Sequence, residues 1–368
     1  AMAQQADVHL DYISASMEKA KKLTGEANRY LFVLVDGMGI SQLEKNLVVG
    51  SFLRRNVVAE MRSVFLSTTA AALTSLAVCR WPAEHGIPAW WTFLEKIGHG
   101  ILPLPFTEQD TGAPLQKLGI RKEDVFPLES VWGRAKKKVL SIVPADLKDS
   151  IYTRYSAGGM PLQGYNKLAD AFNLLFYYAA DKNAPQFIYC YIPHLDEASH
   201  EKGSQDPQIR QIMDFLDKSF EKLAGVISSD TRLIISADHG QTDIPLNKNR
   251  FILGEDDPIN AFLLCRPTGE PCVPFFHVKS GYENDFYSHF MERFGEVYEL
   301  LSVDEVEGMK LLGPVSLSPL TRLRLGSFIG ICTKPAKFYI KPLPSSASHI
   351  GTHGGLSPEE MRIPFIVV

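Results

Sequence analysis

The clearest pattern along the chain is "RYLFVLVDGMG" at residues 29–39, a continuous apolar run closed by Asp-Gly and followed by the amphipathic "SQLEKNLV". An unbroken run containing β-branched residues predicts a parallel strand buried on both faces, turning directly into a helix. Comparable runs recur as "KKVLSIVPA", "PQFIYCYIP" and "TRLIISADHG". Between the last two lies "DPQIRQIMDFLDKSFEKLAGVI", whose apolar residues return at helical spacing. Strands alternating with helices predict an α/β fold, a mostly parallel central sheet with helices on both faces.

From residue 255 to 345 the texture changes. "FLLCRPTGEPCVPFFHVKS", the helical-looking "ENDFYSHFMERFGEVYELLS" and "RLRLGSFIGICTKPAKFYI" predict a smaller α+β insertion with polar turns. The expected organisation is a core of residues 1–254 plus 346–368, closed by the apolar strand in "EEMRIPFIVV", carrying a cap-like unit of residues 255–345. A chain of 368 residues is long enough for both.

Composition narrows the partners. A net charge of −4 provides no basic field for duplex nucleic acid. The 5 cysteines, Cys79, Cys190, Cys265, Cys272 and Cys332, are scattered without thiolate-zinc spacing, which favours a reducing compartment, and the expected localisation is cytoplasmic. No apolar run reaches membrane-spanning length, and "AMAQQADVHLDYI" lacks the pattern of a secretion signal.

The chemistry gathers where strands end. In open parallel sheets ligands collect at the carboxyl ends of strands, and those ends carry Asp36 in "LVDGMG", Asp196 and His200 in "YIPHLDEASHEKG", and Asp238 with His239 in "ISADHGQTD". A carboxylate directly after a buried strand is costly without a counter-charge, and a divalent ion supplies one. Carboxylate and imidazole ligands suit zinc or manganese. His353 in "GTHGG" adds a fourth segment, its glycines allowing close backbone approach. Any one of these is also an ordinary turn or loop residue; four segments converging on one sheet edge favour a metal centre.

"STTAAALTSLAVCRWPAEHGIPAWW" at residues 67–91 puts three hydroxyls before an apolar helix. Helix capping alone would account for them. Taken together with "VDGMG", "DEASHEKG", "ADHG" and "THGG", in this order, the segment resembles the two-metal phosphohydrolases of the alkaline phosphatase superfamily, and within it the type I phosphodiesterase/nucleotide pyrophosphatase branch. The resemblance implies that Asp36, Asp238 and His239 hold one ion together with the nucleophile, and that Asp196, His200 and His353 hold the other. It places the nucleophile 16 residues before His85, at Thr69, with Thr68 and Ser67 as alternatives if the loop shifts. His85, in "WPAEHGI", is read as structural.

The expected activity is metal-dependent hydrolysis of a phosphodiester or pyrophosphate bond in a small-molecule substrate, through a phosphothreonine intermediate and two divalent ions, zinc or manganese. A phosphomonoesterase, a phosphotransfer mutase and a non-catalytic metal-binding protein are the alternatives; "CRWPA" around Cys79 lacks the arrangement of a sulfatase nucleophile. Two departures from the branch stand out. Ala70 occupies the place of an aromatic residue that helps hold a nucleobase, and Trp90 stands where a phosphate-binding Asn is expected, with Asn260 or a lysine of the insertion as substitutes.

Overall fold

The computed structural model describes residues 2–10 and 15–368. Its centre is a seven-stranded sheet. In chain order the strands are β1 (Arg29–Val35), β2 (Val57–Arg62), β3 (Val139–Pro144), β4 (Leu162–Tyr165), β5 (Phe187–Ile192), β6 (Thr231–Ser236) and β7 (Arg362–Val367). In space they run β2-β7-β6-β1-β5-β3-β4. β1, β3, β4, β5 and β6 pair in parallel, and β7 lies antiparallel between β2 and β6.

The four long apolar runs form β1, β3, β5 and β6, and burial on both faces explains why they lack alternation. Leu31, Val33 and Val35 of β1 pack into one core layer, while Tyr30, Phe32 and Leu34 pack into the other. The first layer is covered by helices Leu168–Ala180 and Pro207–Ala224, which present Phe172, Leu175, Met213, Leu216 and Phe220. On the opposite face, Leu73 and Leu76 of α1 (Thr69–Val78) pack with Trp132 and Met160. β2 and β4 escape the apolar-run reading. β2, "VVAEMR", alternates half-buried with exposed positions, and β4, "LQGY", is four residues long.

Between β6 and β7 the chain builds a second sheet of four antiparallel strands in the order Thr268–Glu270, Val273–Phe276, Phe328–Cys332, Tyr298–Ser302. Helix Glu283–Phe294 packs Phe286, Phe290 and Phe294 against it. The stretch 283–302, expected to be one helix, divides at Gly295. Its tail "YELLS" becomes a strand because it finds Phe328–Cys332 to pair with. Lys337–Ile340 runs beside Arg250–Leu253 and returns the chain towards the core.

Two backbone hydrogen bonds clip this unit to the main body: Trp91 N–H to the Gly269 carbonyl at 3.1 Å, and Gly269 N–H to the Trp91 carbonyl at 2.7 Å. Among the described residues, no helix is long and apolar enough to cross a membrane.

Candidate active site

Sheet register brings the acidic residues together. β1 and β6 align Leu34 with Ser236, so continuing by two residues sets Asp36 level with Asp238. β1 and β5 align Val35 with Ile192, and α2 (His194–Lys202) then carries Asp196 and His200 one turn apart over the same edge. The loop 353–355 delivers His353 from beyond the second sheet. All seven residues expected at the site, Asp36, Thr69, Asp196, His200, Asp238, His239 and His353, meet at this edge.

Their side-chain oxygen and nitrogen atoms form two adjoining groups. His239 Nε2 lies 3.4 Å from Asp36 Oδ1 and 3.6 Å from Asp238 Oδ2. His200 Nε2 lies 3.2 Å from both Asp196 Oδ2 and His353 Nε2, and His353 Nε2 is 3.9 Å from Asp196 Oδ1. His239 also borders Asp196 and His353, its ring stacked on that of His353 at 3.8 Å between centroids.

These residues fit cations on three grounds. Asp36 Oδ1 and Asp238 Oδ2 are buried without a hydrogen-bond donor, which a carboxylate tolerates poorly unless a cation meets it. Each imidazole gives Nδ1–H to a backbone carbonyl: His200 to Gly351 at 2.9 Å, His239 to Gly240 at 3.0 Å and His353 to Ser67 at 3.1 Å. That leaves every Nε2 lone pair facing the cluster, as in metal-binding histidines. Three of the other four carboxylate oxygens are held by donors: Tyr191 Oη–H to Asp36 Oδ2 at 2.5 Å, Gln241 Nε2–H to Asp196 Oδ1, and the Gly37 and His239 amides to Asp238 Oδ1 at 3.2 and 2.9 Å.

Burial, then the neighbouring Asp238 and Asp196 charges, raises the Asp36 carboxyl well above the usual range, and burial likewise raises Asp238. Burial pushes Asp196 the same way, yet its imidazole neighbours, His200 first, hold it below the usual range.

Thr69 is the first residue of α1, and its hydroxyl lies 3.1 Å from His239 Nε2 and 3.3 Å from Asp36 Oδ2. The two hydroxyls before it are committed elsewhere. Thr68 holds the backbone N-cap position but makes no side-chain cap; its Oγ1–H donates to Glu270 Oε1 at 2.5 Å. Ser67 donates to the Gly355 carbonyl at 2.8 Å and accepts from Gly354 N–H at 3.1 Å, tying the His353 loop to the start of α1. His85 is structural: Nε2 meets Ser75 Oγ at 2.9 Å and Nδ1 accepts from Ile87 N–H at 3.1 Å.

The cluster opens into a cleft of about 720 Å³ lined also by Trp90, Trp91, Glu270, Lys337 and His349. Glu270 reaches it because Gly269 pairs with Trp91, which brings its Oε1 to within 3.1 Å of the Trp90 amide. Asn260 is elsewhere, its amide donating to the Gly254 and Glu255 carbonyls at 3.0 Å each. Sequence reasoning missed Tyr191, Gln241 and Glu270. Tyr191 lies inside the apolar run of β5 and Gln241 two residues beyond His239 in "ISADHGQTD", so only Gln241 stood beside a recognised motif.

Comparison with known proteins places the fold. Murine ectonucleotide pyrophosphatase/phosphodiesterase 5 matches the fold with a TM-score of 0.67 at 16% identity, over 92% of this chain and 87% of that one. The human protein of the same name gives a TM-score of 0.67 at 16% identity, over 92% and 87%. Phosphonoacetate hydrolase from Sinorhizobium meliloti 1021, in complex with phosphonoformate, gives 0.63 at 15% identity, over 94% and 90%. No curated protein sequence matches the chain. Residues 30–257 match the family described as type I phosphodiesterase/nucleotide pyrophosphatase. The chain therefore belongs to the type I phosphodiesterase/nucleotide pyrophosphatase family of the alkaline phosphatase superfamily, and is a hydrolase of the phosphodiesterase/pyrophosphatase type.

Proposed function

We propose that the enzyme cleaves a phosphodiester or phosphoanhydride bond in a small-molecule substrate by covalent catalysis on Thr69, with two divalent ions, zinc or manganese, as cofactors. One observation carries this reading: of three consecutive hydroxyls, only that of Thr69 sits against the buried carboxylate and imidazole cluster, 3.1 Å from His239 Nε2 and 3.3 Å from Asp36 Oδ2. Asp36, Asp238 and His239 would hold one ion beside Thr69, and Asp196, His200 and His353 the other. Bound there, the ions supply Lewis-acid charge that favours the Thr69 alkoxide and draws charge from the phosphoryl oxygens.

The chain's own residues do the rest. Thr69 sits at the positive end of a ten-residue helix, where a phosphoryl group is favoured. Its oxygen attacks phosphorus as the bond to the leaving oxygen breaks. The hydroxyl proton passes to solvent in the cleft, and the leaving oxygen takes one up. Water then attacks the phosphothreonine, releasing the phosphorylated product and restoring the hydroxyl. Buried Tyr191 and Gln241 keep Asp36 and Asp196 oriented throughout. The inactive Thr-to-Ala variant of the murine ectonucleotide pyrophosphatase/phosphodiesterase 5, solved with AMP, supports a threonine in this role.

Thr69→Ala is expected to retain both ions by elemental analysis while losing turnover of bis(p-nitrophenyl) phosphate by at least about a thousandfold. Acid-quenched wild type should carry the substrate's phosphoryl moiety on the peptide containing Thr69. Wild-type-like turnover in the variant removes Thr69 from the mechanism.

A further inference from the structure

Lys337 begins the strand Lys337–Ile340, whose alternation directs Lys337 and Tyr339 into the cleft that holds the cluster. Its side chain is sequestered, the residue being 2% exposed. Its ammonium gives one hydrogen bond, to the His349 carbonyl at 2.9 Å. Among the described residues it forms no ion pair with a carboxylate within bonding distance. An ammonium has three donors, and a buried cation without a counter-ion is costly. Burial, with Arg250 adding to it, lowers this amine to about 8, so it still carries charge at neutral pH.

A structural duty does not account for it. The turn whose carbonyl it touches is already clamped by Arg250, which donates to the carbonyls of Ala347 and His349, the latter at 2.5 Å. What Lys337 adds is positive charge in the cleft. His349, the residue it touches, lays its ring 4.7 Å from that of His200, and the charge of Lys337 acts on both His200 and Glu270. Two ions held by the cluster would be matched in charge by the non-bridging oxygens of a diester. A cation beyond it has work only if the substrate carries more negative charge than that.

Resting on the function proposed above, we infer that Lys337 binds an additional anionic oxygen group on or next to the scissile phosphorus, and so biases the enzyme against simple diesters. Two substrates carry that chemistry: a phosphoanhydride, through its second phosphoryl group, and a phosphomonoester, through its terminal oxygen.

The test compares wild type, Lys337→Met, Lys337→Gln and Lys337→Arg, loaded with metal, on a dinucleotide diphosphate, on p-nitrophenyl phosphate and on bis(p-nitrophenyl) phosphate. The ratio of kcat/KM for the more charged substrate to that for the diester should fall about 10- to 100-fold in Lys337→Met and Lys337→Gln, and recover in part in Lys337→Arg. A fall confined to the dinucleotide assigns the contact to a second phosphoryl group; one confined to the monoester assigns it to a terminal oxygen. A ratio that does not move, whether all three substrates fall together or none does, overturns the inference.

Binding separates this result from failure of the reaction itself. Calorimetric titration of Thr69→Ala, with and without Lys337→Met, should show inorganic pyrophosphate weakened about 10- to 100-fold and dimethyl phosphate affected much less. Equal weakening of both anions, or of neither, overturns the inference even if no substrate is turned over.

Discussion

Ser67, Thr68 and Thr69 are chemically near-equivalent in the sequence, and the fold sorts them by what each reaches: a loop carbonyl, the Glu270 carboxyl and the metal-type cluster. Thr69 could be chosen from motif spacing. The partner of Thr68 could not, because Glu270 lies in a strand of the second sheet with no motif around it. Glu270 offers its own test. Burial, opposed by the Thr68 hydroxyl and the Trp90 amide, raises its carboxyl from 4.5 to about 7. Between those values the folded chain keeps a proton that the unfolded chain has released, so its contribution is full below pH 4.5 and is lost as pH rises to about 7. Glu270→Gln keeps an oxygen for both donors but cannot ionise. Its calorimetric melting temperature should therefore fall less than that of wild type between about pH 5 and pH 7.5. Parallel curves would mean that Glu270 ionises as an ordinary carboxylate.

At the scale of elements, what the sequence made legible was whatever is buried on both sides. β1, β3, β5 and β6 announce themselves as apolar runs, and their polar ends supply Asp36, Asp196 and Asp238. Elements that depend on a distant partner were hidden: the strand Tyr298–Ser302 exists through Phe328–Cys332, and the approach of Lys337 through pairing with Arg250–Leu253. Neither pairing leaves a local periodicity.

The level placement of Asp36 and Asp238 has a further hidden condition, the contact of two glycine loops. A Cβ on Gly39 would lie 2.6 Å from Gly240 Cα and 3.1 Å from the Arg362 carbonyl, and one on Gly240 would collide with the Glu359 carbonyl. Both loops follow the strands that lead into Asp36 and Asp238, so a single methyl there wedges them apart. Gly39→Ala should destabilise the fold by about 1–3 kcal/mol in denaturant titrations and release metal at lower chelator concentration. Wild-type metal retention would show that the two ligand loops move independently.

For the whole molecule, the site belongs to neither the central sheet nor the second one alone. Arg324 of helix Pro319–Leu325 is fully buried and donates to the carbonyls of Gly86, Val125 and Asp124 at 2.6, 2.9 and 3.1 Å, anchoring the second unit to the main body. The assembled enclosure buries Asp36, Asp196 and Asp238 with imidazoles as their nearest nitrogen neighbours. Such a cavity stores a conflict that metal loading should resolve.

Without ions, Asp36 and Asp238 hold protons above the usual carboxylate range, so this pair's contribution to stability declines as pH rises. Metal binding requires both ionised and the imidazoles neutral, so the stabilisation it confers grows with pH. Ion at a thousand times its dissociation constant adds about 4 kcal/mol per site. Chelator should therefore lower the melting temperature, zinc or manganese should restore it at two ions per chain, and the gap between loaded and stripped protein should widen from about pH 5 to pH 7.5. A gap that is absent, or that narrows with pH, would remove the ions from the cluster whatever the activity of the enzyme.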